Sequence, residues 1–181
     1  MKQQISEKIK VPEGITVKYQ DSFLTLSNGS SELSGKFSAS KIGIKLEGND
    51  LIIFCLKASK NEKKIINSFI AHIKNMFVGL NEPYVYKLEV CNVHFPITLK
   101  VEKDKIAIIN FLGEKTSRYA KILSNVDVQI KGNQIPVTSN DIASAGQTAA
   151  NLEKATKIKD HDRRIFQDGI FITQKPGEKN K

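Results

Sequence analysis

The strongest constraint on the fold is that the chain repeats itself. Displaced by 82 residues, Ile15 to Asn28 (ITVKYQDSFLTLSN) falls on Ile97 to Asn110 (ITLKVEKDKIAIIN) with its apolar and polar positions in phase. In each copy the first run alternates (Ile15, Val17, Tyr19; Ile97, Leu99, Val101), a short polar turn follows, and a second run begins. That pattern predicts a half-buried hairpin. At a displacement of 84, IGIKLEGNDLI (42–52) falls on VDVQIKGNQIP (126–136), with the turn pairs Gly48-Asn49 and Gly132-Asn133 in register. Each copy therefore carries a second hairpin.

The hydrophobic period then changes from 2 to 3.6. Ser59-Lys60-Asn61-Glu62 has the spacing of a capping box, in which serine and glutamate each satisfy a backbone amide of the other. Ile66, Phe69, Ile70, Ile73 and Phe77 make one apolar helical face, and Gly79 is placed as its stop. A second helix is predicted from Asn140 or Asp141, with a smaller face of Ile142, Ala145, Gly146, Ala149 and Leu152. Small side chains let a helix approach its sheet closely but bury less area. The fold class that follows is α+β: two tandem duplicated domains, each an antiparallel sheet of about four strands packed on one helix. The domains are expected at 1–81 and 82–174, with the boundary near Asn81-Glu82-Pro83, a last strand from Ile165 to Thr173, and a disordered tail at 175–181.

A mean hydropathy of −0.29 with 40% apolar residues fits a globular chain with a real core. Its longest apolar run, Leu51 to Leu56, is too short for a bilayer, which needs about 20 residues. The N-terminus has no apolar signal region, so a cytosolic or nuclear location and no membrane partner are expected. Cys55 and Cys91 lie in strand-like apolar settings and read as small buried hydrophobes.

The formal charge of +9, with a pI near 9.5, favours an anionic partner. The excess is almost evenly divided, +5 in residues 1–80 and +4 in 81–181, so charge alone does not say which half binds.

Enzymatic signatures fail one by one. GSSELSGKF (29–37) puts five residues between its glycines, where a phosphate-binding loop requires four, and Phe37 stands in place of the metal-binding hydroxyl. No HExxH, GxSxG, CxxC or GxGxxG occurs. Asp160, Asp162 and Asp168 could gather round a metal only if the fold brought them together; a solvated turn is the simpler expectation. His72 and His94 read as packing or hydrogen-bonding histidines. No cofactor, metal or small-molecule substrate is expected.

Arginine is rare: three residues against twenty-five lysines. Where lysine serves as a point charge, the retained arginines mark sites that need a planar, bidentate fork. Arg118 lies in GEKTSRYAK, and Arg163 and Arg164 lie in DHDRRIFQDGIF, flanked by Asp160, Asp162 and Asp168. Those acids could hold the forks or cap turns, and Gly169 would allow a close backbone approach.

FIAHIKNM (69–76), HFP (94–96), NFLGEK (110–115), AGQTAAN (145–151) and DRRIFQDGIF (162–171) occur in this order along nearly the whole chain. Together they resemble the archaeal and eukaryotic branch of the ribosomal large-subunit protein six family, called protein nine in eukaryotic naming. The resemblance implies two duplicated α+β domains and binding to large-subunit ribosomal RNA near the sarcin-ricin loop and the base of the factor-binding stalk, chiefly through the second domain. It also implies neighbouring ribosomal proteins as partners, a cytoplasmic location in the ribosome, and nucleolar assembly if the source is eukaryotic. Two positions depart from the family pattern. Asn28-Gly29-Ser30-Ser31 replaces a glycine-proline-lysine-glycine turn and so removes a basic residue, and Phe171 replaces a tyrosine.

The expected function is thus that of a non-enzymatic ribosomal RNA-binding protein. Lys154, Lys157, Lys159, Arg163 and Arg164 form one expected basic patch at the end of the second helix, and Lys115, Arg118 and Lys121 another in the preceding segment. Gln147 and Thr148 offer polar groups, and Gly169 a close approach, to the RNA backbone. The alternatives are a protein-protein adaptor and, behind it, a metal-dependent nuclease.

Overall fold

The structure is a computed structural model, and it describes residues 3–48, 50–162 and 164–177. The chain divides into two compact units, Met1–Glu82 and Pro83–Lys181.

In the first unit, strands β1 (Gln3–Lys10), β5 (Gly43–Glu47) and β6 (Asp50–Ala58) form one antiparallel sheet in the order β1-β6-β5. Strands β2 (Thr16–Gln20), β3 (Phe23–Ser27) and β4 (Glu32–Lys36) form a second. Helix α1 (Lys60–Asn81) packs on β6, β3 and β4. Leu24, Leu26, Leu51, Ile53, Ile66 and Ile73 are the fully enclosed centre of this core.

The second unit repeats the plan. Strands β8 (Thr98–Glu102), β9 (Lys105–Ile109) and β10 (Arg118–Lys121) make its three-stranded sheet. The other sheet has the order β11-β12-β7-β13, from β7 (Tyr84–Cys91), β11 (Asp127–Val128), β12 (Gln134–Ser139) and β13 (Gly169–Gln174). Helix α2 (Ile142–Ala155) lies against β7, β10, β12 and β13.

The duplication is visible in the hydrogen-bond register. Thr16 pairs with Ser27 and Gln20 with Phe23; 82 residues on, Thr98 pairs with Ile109 and Glu102 with Lys105. Gly43 pairs with Phe54, and 84 residues on Asp127 pairs with Thr138. Each unit thus packs antiparallel sheet on one helix, as expected, with its strands divided between two sheets: three and three in the first unit, three and four in the second. The copies diverge after β9, where a turn of 3-10 helix (Phe111–Gly113) precedes β10.

The predicted capping box is present: the Ser59 side chain accepts from the Asn61 amide, and Glu62 accepts from both the Ser59 amide and its hydroxyl. Those hydrogen bonds pull the Glu62 carboxyl down to about 2. Gly79 does not stop α1. The helix passes through it, with Gly79 buried, and ends at Asn81. Glu82 turns extended (φ −133°, ψ 124°), as a residue preceding proline prefers. The last strand begins at Gly169 rather than Ile165, because Asp162 organises a turn: its carbonyl accepts from the amides of Ile165 and Phe166. The expected disordered tail falls partly outside the described residues, as does Asn49 of the first hairpin turn.

Candidate nucleic-acid interface

Helix α2 sets the geometry of the second unit. Asp141 caps it by accepting from the amides of Ala143 and Ser144, two of the donors a helix start leaves unpaired. Ala145, Thr148, Ala149 and Leu152 form the buried stripe. At Gly146 a Cβ would lie 2.9 Å from the Tyr86 hydroxyl, so the small face admits that ring.

Thr148 belongs to the stripe, not to an outer face. It is 0% exposed, and its Oγ1 accepts from the Leu123 amide at 3.3 Å, so it is closed to any outside partner. The expectation of an RNA contact there overlooked its phase: position 148 stacks with 145 and 152. Gln147, one residue earlier, is exposed and bonds Asn151.

Beyond the helix, Arg118 ties β10 to the end of α2. Its Nε donates to Glu114 Oε2 at 2.8 Å and its Nη2 to Glu114 Oε1 at 2.6 Å. Its Nη1 donates to the carbonyls of Ala155 (3.0 Å) and Lys157 (3.3 Å), and the guanidinium lies over the buried Phe111 ring. The Arg118 hydrogen bond holds the Glu114 carboxyl below its ordinary range. The fork is used here on internal partners. A second tie runs from the Asn151 side chain to the Lys121 carbonyl at 3.0 Å. These links hold β10 against the end of α2; Lys115, Lys121, Lys154, Lys157 and Lys159, on the segments so joined, are all exposed.

The segment after α2 is anchored by Asp168, which is 1% exposed. Its Oδ1 accepts from the amides of Val93 (2.7 Å) and His94 (3.0 Å), and its Oδ2 meets His94 Nδ1 at 2.7 Å. Burial pushes this carboxyl up, but the bonds from His94 and Val93 outweigh it and hold it below its ordinary range. Asp168 therefore secures the HFP segment, and with both carboxylate oxygens engaged it is not free to join Asp160 and Asp162 round a metal. No group of three potential metal ligands occurs among the described residues. His94 is the hydrogen-bonding histidine expected.

Asp162 accepts from the Arg164 amide at 2.9 Å, and the exposed Arg164 guanidinium has no ion-pair partner among the described residues. Arg163 lies outside the described residues. Gly169 is buried; a Cβ there would lie 3.1 Å from the Phe171 ring, so its close approach is to Phe171 and not to RNA. The Asp168–His94 link bridges 74 residues, and no local spacing announces it.

The family model described as Ribosomal protein L6 matches residues 95–169, the stretch that holds most of these groups. Similar proteins include the large ribosomal subunit protein uL6 of Aeropyrum pernix, 40% identical over 172 residues, which cover 94% of each chain. That of Sulfurisphaera tokodaii is 41% identical over 170 residues, covering 93% of this chain and 91% of the relative. That of Methanosarcina mazei is 37% identical over 175 residues, covering 97% and 99%.

Proposed function

The chain belongs to the ribosomal protein L6 family, whose members are structural, non-enzymatic proteins of the large ribosomal subunit, and from that premise we propose that it binds large-subunit ribosomal RNA near the sarcin-ricin loop and the base of the factor-binding stalk. The second unit carries the binding. Lys115, Lys121, Lys154, Lys157, Lys159 and Arg164 meet phosphates as charges, Gln147 adds a polar contact, and Arg118 holds their common edge from within. Neighbouring ribosomal proteins cover other surfaces.

One observation carries this reading: a single guanidinium bonds Glu114 and the carbonyls of Ala155 and Lys157, which joins two basic segments about forty residues apart into one edge. A duplex or folded RNA presents phosphates at short, regular spacing, so cations carried on neighbouring segments suit it better than scattered ones. The test is backbone footprinting of the full large-subunit RNA with and without the protein, repeated at rising salt. Protection around the sarcin-ricin loop that fades with salt is expected. Protection confined elsewhere, or binding insensitive to salt, would favour a protein-protein adaptor.

A further inference from the structure

The phosphate-facing edge does not account for the aromatic cluster beside it. Phe166 is half-buried, and its ring is stacked with His94 (centroids 4.9 Å apart, planes 26°) and tilted against His161 (4.7 Å, 35°). His94 is oriented by the buried Asp168 carboxylate, which accepts from Nδ1 and so fixes that nitrogen as the proton carrier. His161 sits at the outside of the group, exposed. Ile165, 63% exposed, and Val93, 68% exposed, neighbour the rings in sequence, and the exposed Arg164 and Lys159 lie in the same segment.

Phosphates have no use for such a surface. Aromatic rings and apolar side chains, exposed in a loop where Lys159 and Arg164 alternate with Asp160 and Asp162, match a nucleobase: the ring stacks on aromatic faces while its own phosphates meet Lys159 and Arg164. We infer that His161, backed by Phe166 and the Asp168-anchored His94, is a stacking platform for one unpaired base of the ribosomal RNA. His161 is the contact; His94 and Asp168 are positioning residues that keep Phe166 beneath it. The inference rests on the RNA-binding reading above and adds to it a residue that recognises a base and not a charge.

The chain has no tryptophan, so His161→Trp places its single tryptophan at the platform. The full-length protein, His161→Ala and His161→Trp are titrated with large-subunit RNA at several salt concentrations, and thermal unfolding is recorded for each. His161→Ala is expected to weaken binding roughly 5- to 150-fold, the loss alanine causes at base–aromatic stacks, with the slope of log affinity against log salt and the melting temperature unchanged. His161→Trp is expected to keep or raise affinity, and its emission to be quenched on binding. Wild-type affinity in His161→Ala together with unquenched tryptophan would overturn the platform while leaving the phosphate edge standing; a lowered melting temperature with unchanged affinity would reduce the stack to a packing device. If the wild-type protein showed no salt-dependent RNA binding, both readings would fall.

Discussion

Arg118 and Glu114 meet side-on, Nε and Nη2 of the guanidinium on the two oxygens of the carboxylate, at 2.8 and 2.6 Å. The remaining nitrogen reaches the carbonyls of Ala155 and Lys157, so the pair is one corner of a clamp that closes the end of α2 onto β10. Lysine keeps the charge but lacks the fork. Arg118→Lys is expected to lower the unfolding free energy by about 1–2 kcal/mol, the scale of charged hydrogen bonds at a partly exposed site, and to weaken RNA binding through loss of the edge. Glu114→Gln, which leaves both carbonyl bonds possible, is expected to lose less. Chemical denaturation of the three proteins checks the order.

Asp168 supplies a pH dependence whose sign follows from its lowered pKa. The folded protein holds the carboxylate below the ordinary value of 3.8, so its contribution to stability is fully present above that value and is lost as pH falls through the folded one. Asp168→Ala leaves the amides of Val93 and His94 and the His94 ring without their acceptor, and is expected to lose on the order of 3 kcal/mol. Asp168→Asn retains an acceptor for the amides; it is expected to lose about half as much and to flatten the acid limb that lies below the ordinary value of 3.8. Melting curves taken from neutral pH down through that acid limb distinguish the two.

Much of the fold was legible before any coordinates because hairpins are local. The alternation of Ile15, Val17 and Tyr19, and its echo at Ile97, Leu99 and Val101, needs only period and turn chemistry, as does the Ser59–Glu62 box. The division of the strands between two sheets was not legible, because it depends on where the joining segments leave the ladder. On the second unit, the exposure of the lysines followed from their charge, whereas the places of Thr148, Gly169 and Arg118 turned on tertiary partners: a helix stripe, the Phe171 ring, and a carboxylate with two carbonyls. The rarity of arginine drew attention to residue 118, but it carried no information on which anion the fork would meet.

The duplicated hairpins also make a packing test. A Cβ on Gly43 would overlap the ring of its cross-strand partner Phe54, whereas the equivalent pair in the second unit is Asp127 and Thr138. Gly43→Ala alone is expected to destabilise by about 1–3 kcal/mol, the range for overpacking. Combined with Phe54→Thr it should cost less than the sum of the two single changes, a coupling read from a double-mutant cycle of unfolding free energies.

The central claim is that the second unit's basic edge, not overall charge, binds RNA, although the two halves carry nearly equal excess. The direct measurement is the slope of log affinity for large-subunit RNA against log salt, compared between two full-length variants of equal charge. One replaces Lys115, Lys121, Lys154 and Lys157 by alanine; the other replaces Lys18, Lys36, Lys57 and Lys64, all exposed in the first unit. Each phosphate neutralised contributes about 0.7–0.9 to the slope, so the first variant is expected to be shallower than wild type by roughly 3, and the second to match wild type within error. Equal flattening in both variants, or flattening in the first-unit variant alone, would contradict the account.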